Sequence, residues 1–269
     1  ACHYCGLRRT YDGTCPACHG TELEPIGKGT EQVQEALKRL FPDVAIGRMD
    51  ADTTAVRGAH HRILSAFREG RTQLLVGTQI VAKGHDFPDV HTAVVVSADH
   101  GFRMPDFRAS ERTHALLVQM AGRAGRGTTP GRVFLQTWKP DHYVLELLGD
   151  LHAFYRRELE LRSLLRYPPY ARLVLIRLDG VHRGKVAEVA RRLAQDLGKA
   201  AARDASLKIL GPAPAALPKL VGRWRFQVIV RGLELGPLRA FLAHQLDRLW
   251  SAGEKGVRVS WDVDPRSLM

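Results

Sequence analysis

An apolar run at residues 74–76, Leu-Leu-Val, opens directly into a polar loop at 77–86 within the stretch LLVGTQIVAKGHDFPDV. No other feature constrains the fold as much. A short, continuously apolar strand followed by a glycine-containing polar loop is what an open parallel sheet presents at its ligand-binding edge, the carboxyl ends of its strands. The surrounding stretch, residues 29–136, alternates helix-like and strand-like segments, which predicts a parallel sheet flanked by helices. Thr30 is expected to cap a helix carrying Val33, Leu37, Leu40 and Phe41 at a 3.6-residue period. A strand over 44–49, a helix over 54–69 closed by Gly70, a central apolar strand over 94–97, a helix from Ser110 through Gln119 and a strand over 132–137 complete the expected lobe. Asp50 and Asp52 read as a turn ahead of a helix rather than a metal pair.

A second motif follows about forty residues later. In QMAGRAGRG, residues 119–127, Arg123 and Arg126 lie three apart, each preceded by glycine. A guanidinium is a rigid fork of donors that matches phosphate oxygens bidentately, and glycine lets backbone approach a ligand. The formal charge of +12 predicts attraction to polyanions, of which nucleic acid is the commonest. No run of about eighteen apolar residues occurs, so no membrane span is expected. No secretory signal opens the chain. Neither a GxxxxGK[ST] phosphate loop nor a DExH-like strand end is found; IGKGT at Ile26 fails the spacing. The start at Ala1, inside a cysteine motif, is read as the start of a carboxyl-terminal part.

All four cysteines, Cys2, Cys5, Cys15 and Cys18, form a C-x2-C-x9-C-x2-C pattern. Two such knuckles place four soft thiolates for a tetrahedral, structural Zn²⁺, and an amino-terminal zinc module is expected over residues 1–26. His3 and His19 are neighbouring surface histidines or substitute ligands.

Beyond residue 139 the pattern changes. A helix bearing Leu151, Phe154, Tyr155 and Leu159 runs to Arg166 and stops at Tyr167-Pro168-Pro169. Strands over 172–179, 206–210, 223–231 and 257–263, with helices over 185–202 and 238–250, give the order βαββαβ. In the strand over 223–231 a period of two puts Trp224, Phe226, Val228 and Val230 on one face as core. It puts Arg223, Arg225, Gln227, Ile229 and Arg231 on the other. The arginine face is a candidate for phosphate or an acidic peptide. The aromatic face makes Trp224 a core residue rather than a base-stacking one.

The two motifs resemble motifs V and VI of superfamily 2 helicases. The wording GTQIVAKGHDFPDV is closer still to the bacterial replication-restart helicase family of primosomal protein N′. The cysteine-rich start, GKGTEQ (27–32), RMDADTT (48–54), LGPAPA (210–215), GRWRFQ (222–227) and WDVDP (261–265) extend the likeness in order. The resemblance implies an α/β RecA-like second helicase lobe with an amino-terminal zinc module and a βαββαβ carboxyl-terminal domain. The expected division is 1–26, 27–140, a helical linker over 141–170, and 171–269. It implies Arg126 as an arginine finger, with Arg123 beside it and Gln119 on phosphate or attacking water. Gly84 and Asp86 match residues that contact nucleotide ribose. Thr78, Lys83 and Arg103, with Arg223 and Arg225, are the nucleic-acid contacts. The family has two zincs held by interleaved cysteine pairs. The four cysteines here therefore either close one site or leave each pair awaiting a partner. ATP and Mg²⁺ are expected only together with a first lobe.

The function implied is a part of an ATP-dependent 3′-to-5′ DNA helicase that restarts stalled forks through primosome assembly. Forked or single-stranded DNA, the single-stranded-DNA-binding protein and helicase-loading proteins are the implied partners. A cytoplasmic, nucleoid-associated monomer is the implied state. The alternatives are a non-motor scaffold of the same family and a zinc-ribbon nucleic-acid binder of another kind.

Overall fold

The structure is a computed structural model. It describes residues 14, 20–21, 29–50, 52–78, 87, 89–122, 131–202, 204–251 and 255–269, with the side chains of 246–251 excepted. The chain divides into two compact units, and the division does not follow sequence order. Among the described residues one unit comprises Asp150–Met269 together with Met104–Ala109. The other lies within Gly13–Arg103 and Ser110–Gly149.

The first-described lobe, in chain order, is α/β. Helix α1 (Thr30–Leu40) precedes β1 (Ile46–Met49), and α2 (Ala59–Arg68) crosses to β2 (Leu74–Gly77). β1 and β2 pair in parallel, Ile46 opposite Leu74 and Met49 opposite Gly77. β3 (Thr92–Val95) leads through the short α3 (Asp99–Phe102) and α4 (Ala109–Ala121) to β4 (Arg132–Leu135), its parallel partner. Parallel neighbours joined by helical crossovers make this a RecA-like arrangement.

Local chemistry places the turns differently from the periodicity. Gly29, not Thr30, is the N-cap of α1. The Thr30 hydroxyl instead donates to Asp50 Oδ2 at 2.5 Å. Asp50 closes β1 by accepting from the Thr53 N–H, while its own N–H donates to Thr53 Oγ1, both at 2.9 Å. This side-chain turn uses up residues expected in the helix, so α2 begins only at Ala59, after Gly58 in the left-handed region at φ 79°. The expected central strand over 94–97 is also different: β3 ends at Val95, and Val94 and Val96 are about half exposed.

The carboxyl-terminal unit opens with α6 (Leu151–Leu165), after the single turn α5 (Tyr143–Glu146) of the other unit. Asp150 caps α6 by accepting from the Ala153 N–H at 2.9 Å, and Arg166 ends it at φ 54°. Of its expected apolar side, Phe154 is buried, whereas Leu151, Tyr155 and Leu159 are exposed. Then follow β5 (Arg172–Gly180), α7 (Arg183–Ala201), β6 (Leu207–Leu220), β7 (Arg223–Gly232), α8 (Leu235–Ser251) and β8 (Val257–Val263). The order is the expected βαββαβ. The strands lie β6-β7-β5-β8, every pair antiparallel, which is a split β-α-β sheet.

One sheet face buries Val174, Ile176, Leu178, Val228 and Val230 against Val186, Val189 and Leu193 of α7 and Leu238 and Phe241 of α8. The opposite face is also covered in part. Leu173, Leu175 and Ile229 pack with Tyr167, Leu268 and Phe107. Phe107 comes from the Met104–Ala109 segment. Its ring stacks on Tyr167 at 5.5 Å and 7°, and the neighbouring Asp106 accepts from Ser267 Oγ at 2.7 Å and Leu268 N–H at 3.2 Å.

The expected amino-terminal zinc module is corrected. Among the described residues no group of three or more His, Cys, Asp or Glu side chains lies close enough to hold a metal ion. Cys2, Cys5, Cys15 and Cys18 lie outside the described residues. The buried carboxylates that are described are occupied by other work. Asp50 holds a turn, Asp106 holds Ser267, and Asp179 holds two arginines. The described architecture is a RecA-like parallel lobe and an antiparallel α+β unit.

Candidate nucleic-acid interface

In the parallel lobe, three of the expected site residues are described. Thr78 directly follows β2 and is exposed. Arg103 follows α3 and is exposed. Both therefore stand past the carboxyl ends of parallel strands. Gln119 is exposed on the last turn of α4. Lys83, Gly84, Asp86, Arg123 and Arg126 lie outside the described residues.

What holds this edge is a set of buried polar anchors. Asp99 is fully buried and sits just after β3. Its carboxylate accepts from Thr137 Oγ1 and the Trp138 N–H, each at 3.1 Å, just after β4. The Ala98 N–H donates to Gln136 O at 2.9 Å. The exits of both strands are thus tied together. Burial pushes the Asp99 carboxyl up, but the Trp138 and Thr137 donors outweigh it, and the group stays below the ordinary carboxylate range. α4 is fixed by Leu117 and by His114, whose Nε2 lies 3.1 Å from Leu147 O. It packs so tightly on α3 that a Cβ at Gly101 would come within 2.4 Å of Thr113 Oγ1. Phe102 stacks on His142 at 4.0 Å. The helix that carries Gln119 is therefore held by a rigid base.

In the carboxyl-terminal unit, Arg223 and Arg225 are described, and they differ. Arg223 is committed: its Nε donates to Asp179 Oδ2, and its Nη2 donates to Asp179 O at 3.0 Å. Arg258 donates to the other oxygen of Asp179 at 2.9 Å and is itself largely exposed. Asp179 is only 4% exposed. Burial pushes its carboxyl up, yet the Arg223 and Arg258 donors overcome this and hold it low. Arg225 lies opposite Asp179 across the sheet, and Arg177 lies opposite Gln227. Burial, with Arg225 nearby, lowers Arg177 from its ordinary range.

The result is a cationic end to the sheet, with arginines from β5, β7 and β8 around one buried carboxylate. Sequence reasoning found the β7 arginines but missed Arg177, Asp179 and Arg258. The signal was the same period of two, run along β5 and β8. The expected arginine face is not continuous: Gln227 and Ile229 in its middle are buried, which separates Arg223 and Arg225 at one end from Arg231 at the other. Trp224, expected as core, is half-buried at the strand end. Arg183 and Lys219 stand 5.4 and 5.2 Å from its ring centre. Such cations favour the ring's negative face.

Zinc is likewise corrected as a cofactor, since no described group of ligands could coordinate it. No helix among the described residues is long and apolar enough to cross a membrane.

Two family models match successive stretches of the chain. Residues 26–128 match the helicase conserved C-terminal domain, and residues 163–266 match the primosomal protein N C-terminal domain. The replication restart protein PriA of Bacillus subtilis is 39% identical over 271 residues, covering 100% of this chain and 33% of the relative. That of Synechocystis is 37% identical over 273 residues, covering 99% and 32%. That of Treponema pallidum is 36% identical over 277 residues, covering 100% and 40%. The chain spans about a third of the length of the first two and two fifths of the third.

Proposed function

The chain belongs to the PriA family of replication restart proteins, and we propose that it works as the second motor lobe and the fork-binding terminal domain of an ATP-dependent 3′-to-5′ DNA helicase. The observation that carries this reading is the continuity of the match. A helicase lobe and a restart-protein terminal domain follow one another in a single aligned stretch covering the whole chain.

The roles follow from chemistry. Arg126 stabilises charge on the transferring phosphoryl group as an arginine finger, with Arg123 beside it. Gln119, carried on the anchored α4, orients phosphate or water. Gly84 and Asp86 meet the nucleotide ribose, and Thr78, Lys83 and Arg103 meet the DNA backbone. Arg225 and the exposed Arg258 add phosphate contacts in the terminal unit. Arg223, committed to Asp179, contributes field more than a free fork. Binding of the single-stranded-DNA-binding protein and of primosome partners belongs to the same reading, as does work at the nucleoid.

The test separates motor from binding. In the full-length gene product, Arg126→Ala is expected to lower DNA-stimulated ATP turnover by about 10³- to 10⁵-fold. Fork affinity should change by no more than about twofold, because it sums many phosphate contacts. Arg126→Lys should not restore turnover, since a point charge lacks the planar fork. Equal loss of turnover and affinity would reassign Arg126 to DNA. Unchanged turnover would remove it from the reaction.

A further inference from the structure

The hairpin between β6 and β7 ends in an unusual tip. Leu220 pairs with Arg223 across the two-residue loop Val221-Gly222, and both loop residues have positive φ, 46° and 74°. This is the tight mirror-image turn in which asparagine and glycine are preferred. A β-branched side chain is a backbone outlier there. Valine nevertheless occupies the first position and is 90% exposed. Leu217 and Leu220 behind it are about half exposed. Around Gly222 nothing lies within 4 Å of where a Cβ would be. A strained, solvent-facing apolar side chain adds nothing to the core, so its position points to an occupant outside the unit.

The charges nearby indicate the occupant. Lys219, paired across the hairpin with Trp224, lies against the indole, as does Arg183. On the opposite face of the same sheet end Arg225 and Arg258 add further positive charge, and Asp179 there is already engaged by Arg223 and Arg258. Nucleic-acid binders combine these two parts, cations on phosphates and an apolar side chain against a base face. An acidic peptide would satisfy these charges, but a single projecting side chain offers it no groove.

We propose that Val221, backed by Leu220, is an apolar wedge that meets the bases where duplex DNA passes into single strands. Lys219, Arg183 and Arg225 hold the flanking phosphates. A junction is the least costly place for such a contact, because its last base pair is stacked on one side only. The proposal rests on the reading of the chain as fork-binding and assigns one contact within it.

The experiment uses this chain, a forked DNA with 2-aminopurine at the junction, and the matching uninterrupted duplex. Binding of the wild-type chain is expected to brighten the junction base and to favour fork over duplex by about tenfold. Val221→Asn keeps the turn and removes the apolar point. It should abolish most of the brightening and bring fork preference to about twofold, with duplex affinity unchanged. Leu220→Ser should act in the same direction, and thermal unfolding of both variants checks that they are folded. Brightening and preference that survive Val221→Asn would overturn the wedge while leaving fork binding intact. A wild-type chain that binds neither DNA would overturn the fork-binding reading itself, and the wedge with it.

Discussion

At the residue scale, a few side chains carry disproportionate work, and their effects are separable. Asp179 is buried between two arginines that keep it ionised. Asp179→Ala should cost about 2 kcal/mol, below the range for a fully buried pair because Arg258 is mostly solvated. Urea unfolding would measure it, and a loss under about 0.5 kcal/mol would mean the arginines simply re-solvate. Asp99 makes a second test, by pH. Its folded carboxyl lies below its ordinary value, so its contribution is present above about pH 4 and is lost as pH falls through the folded value. Asp99→Asn should therefore lower stability at pH 7 and flatten the decline on acidification. An unchanged pH profile would exclude Asp99 as its source. At this scale the β7 arginines were legible beforehand, whereas the GR steps and the cysteines lie outside the described residues and the zinc reading drawn from the cysteines is corrected. Partner identity was not legible. Thr30 was expected to cap a helix but bonds Asp50, twenty positions away, and no local pattern encodes a pairing set by tertiary approach.

Elements were read best where a period and a stop signal agreed. The βαββαβ succession followed from strand alternation and glycine or proline punctuation. The start of α2 was missed because Asp50, Thr53 and Thr54 make a hydrogen-bonded turn that competes with helix formation. Nor could periodicity show that β7 is covered on both faces in its middle, because the second cover comes from Phe107 and Leu268, far away in sequence. The α3–α4 contact gives the sharpest expectation at this scale. Gly101→Ala would drive its Cβ into the Thr113 side chain, as the 2.4 Å approach requires. A loss of about 2 kcal/mol is expected, partly recovered by Thr113→Ala in a double-mutant cycle. Absence of coupling between the two substitutions would mean α3 moves aside freely.

For the whole molecule, a net charge of +12 predicts that the DNA binding proposed above depends strongly on salt. If roughly five phosphates are neutralised, fork affinity should fall several-hundred-fold between 50 and 200 mM salt, read as a slope of about −4 to −5 on logarithmic axes. A flat salt response would argue that apolar contacts dominate. The membership of Met104–Ala109 in the carboxyl-terminal unit has a practical consequence for anyone dividing the protein. A cut near Gly149, where the chain passes from one unit to the other, would strand Phe107 and Asp106 on the wrong piece. The amino-terminal piece would carry a bare aromatic hook prone to self-association, and its counterpart an open slot over Tyr167 and Leu268. Mixing the two pieces should restore solubility to the first, and a peptide spanning residues 104–109 should do part of the same for the second.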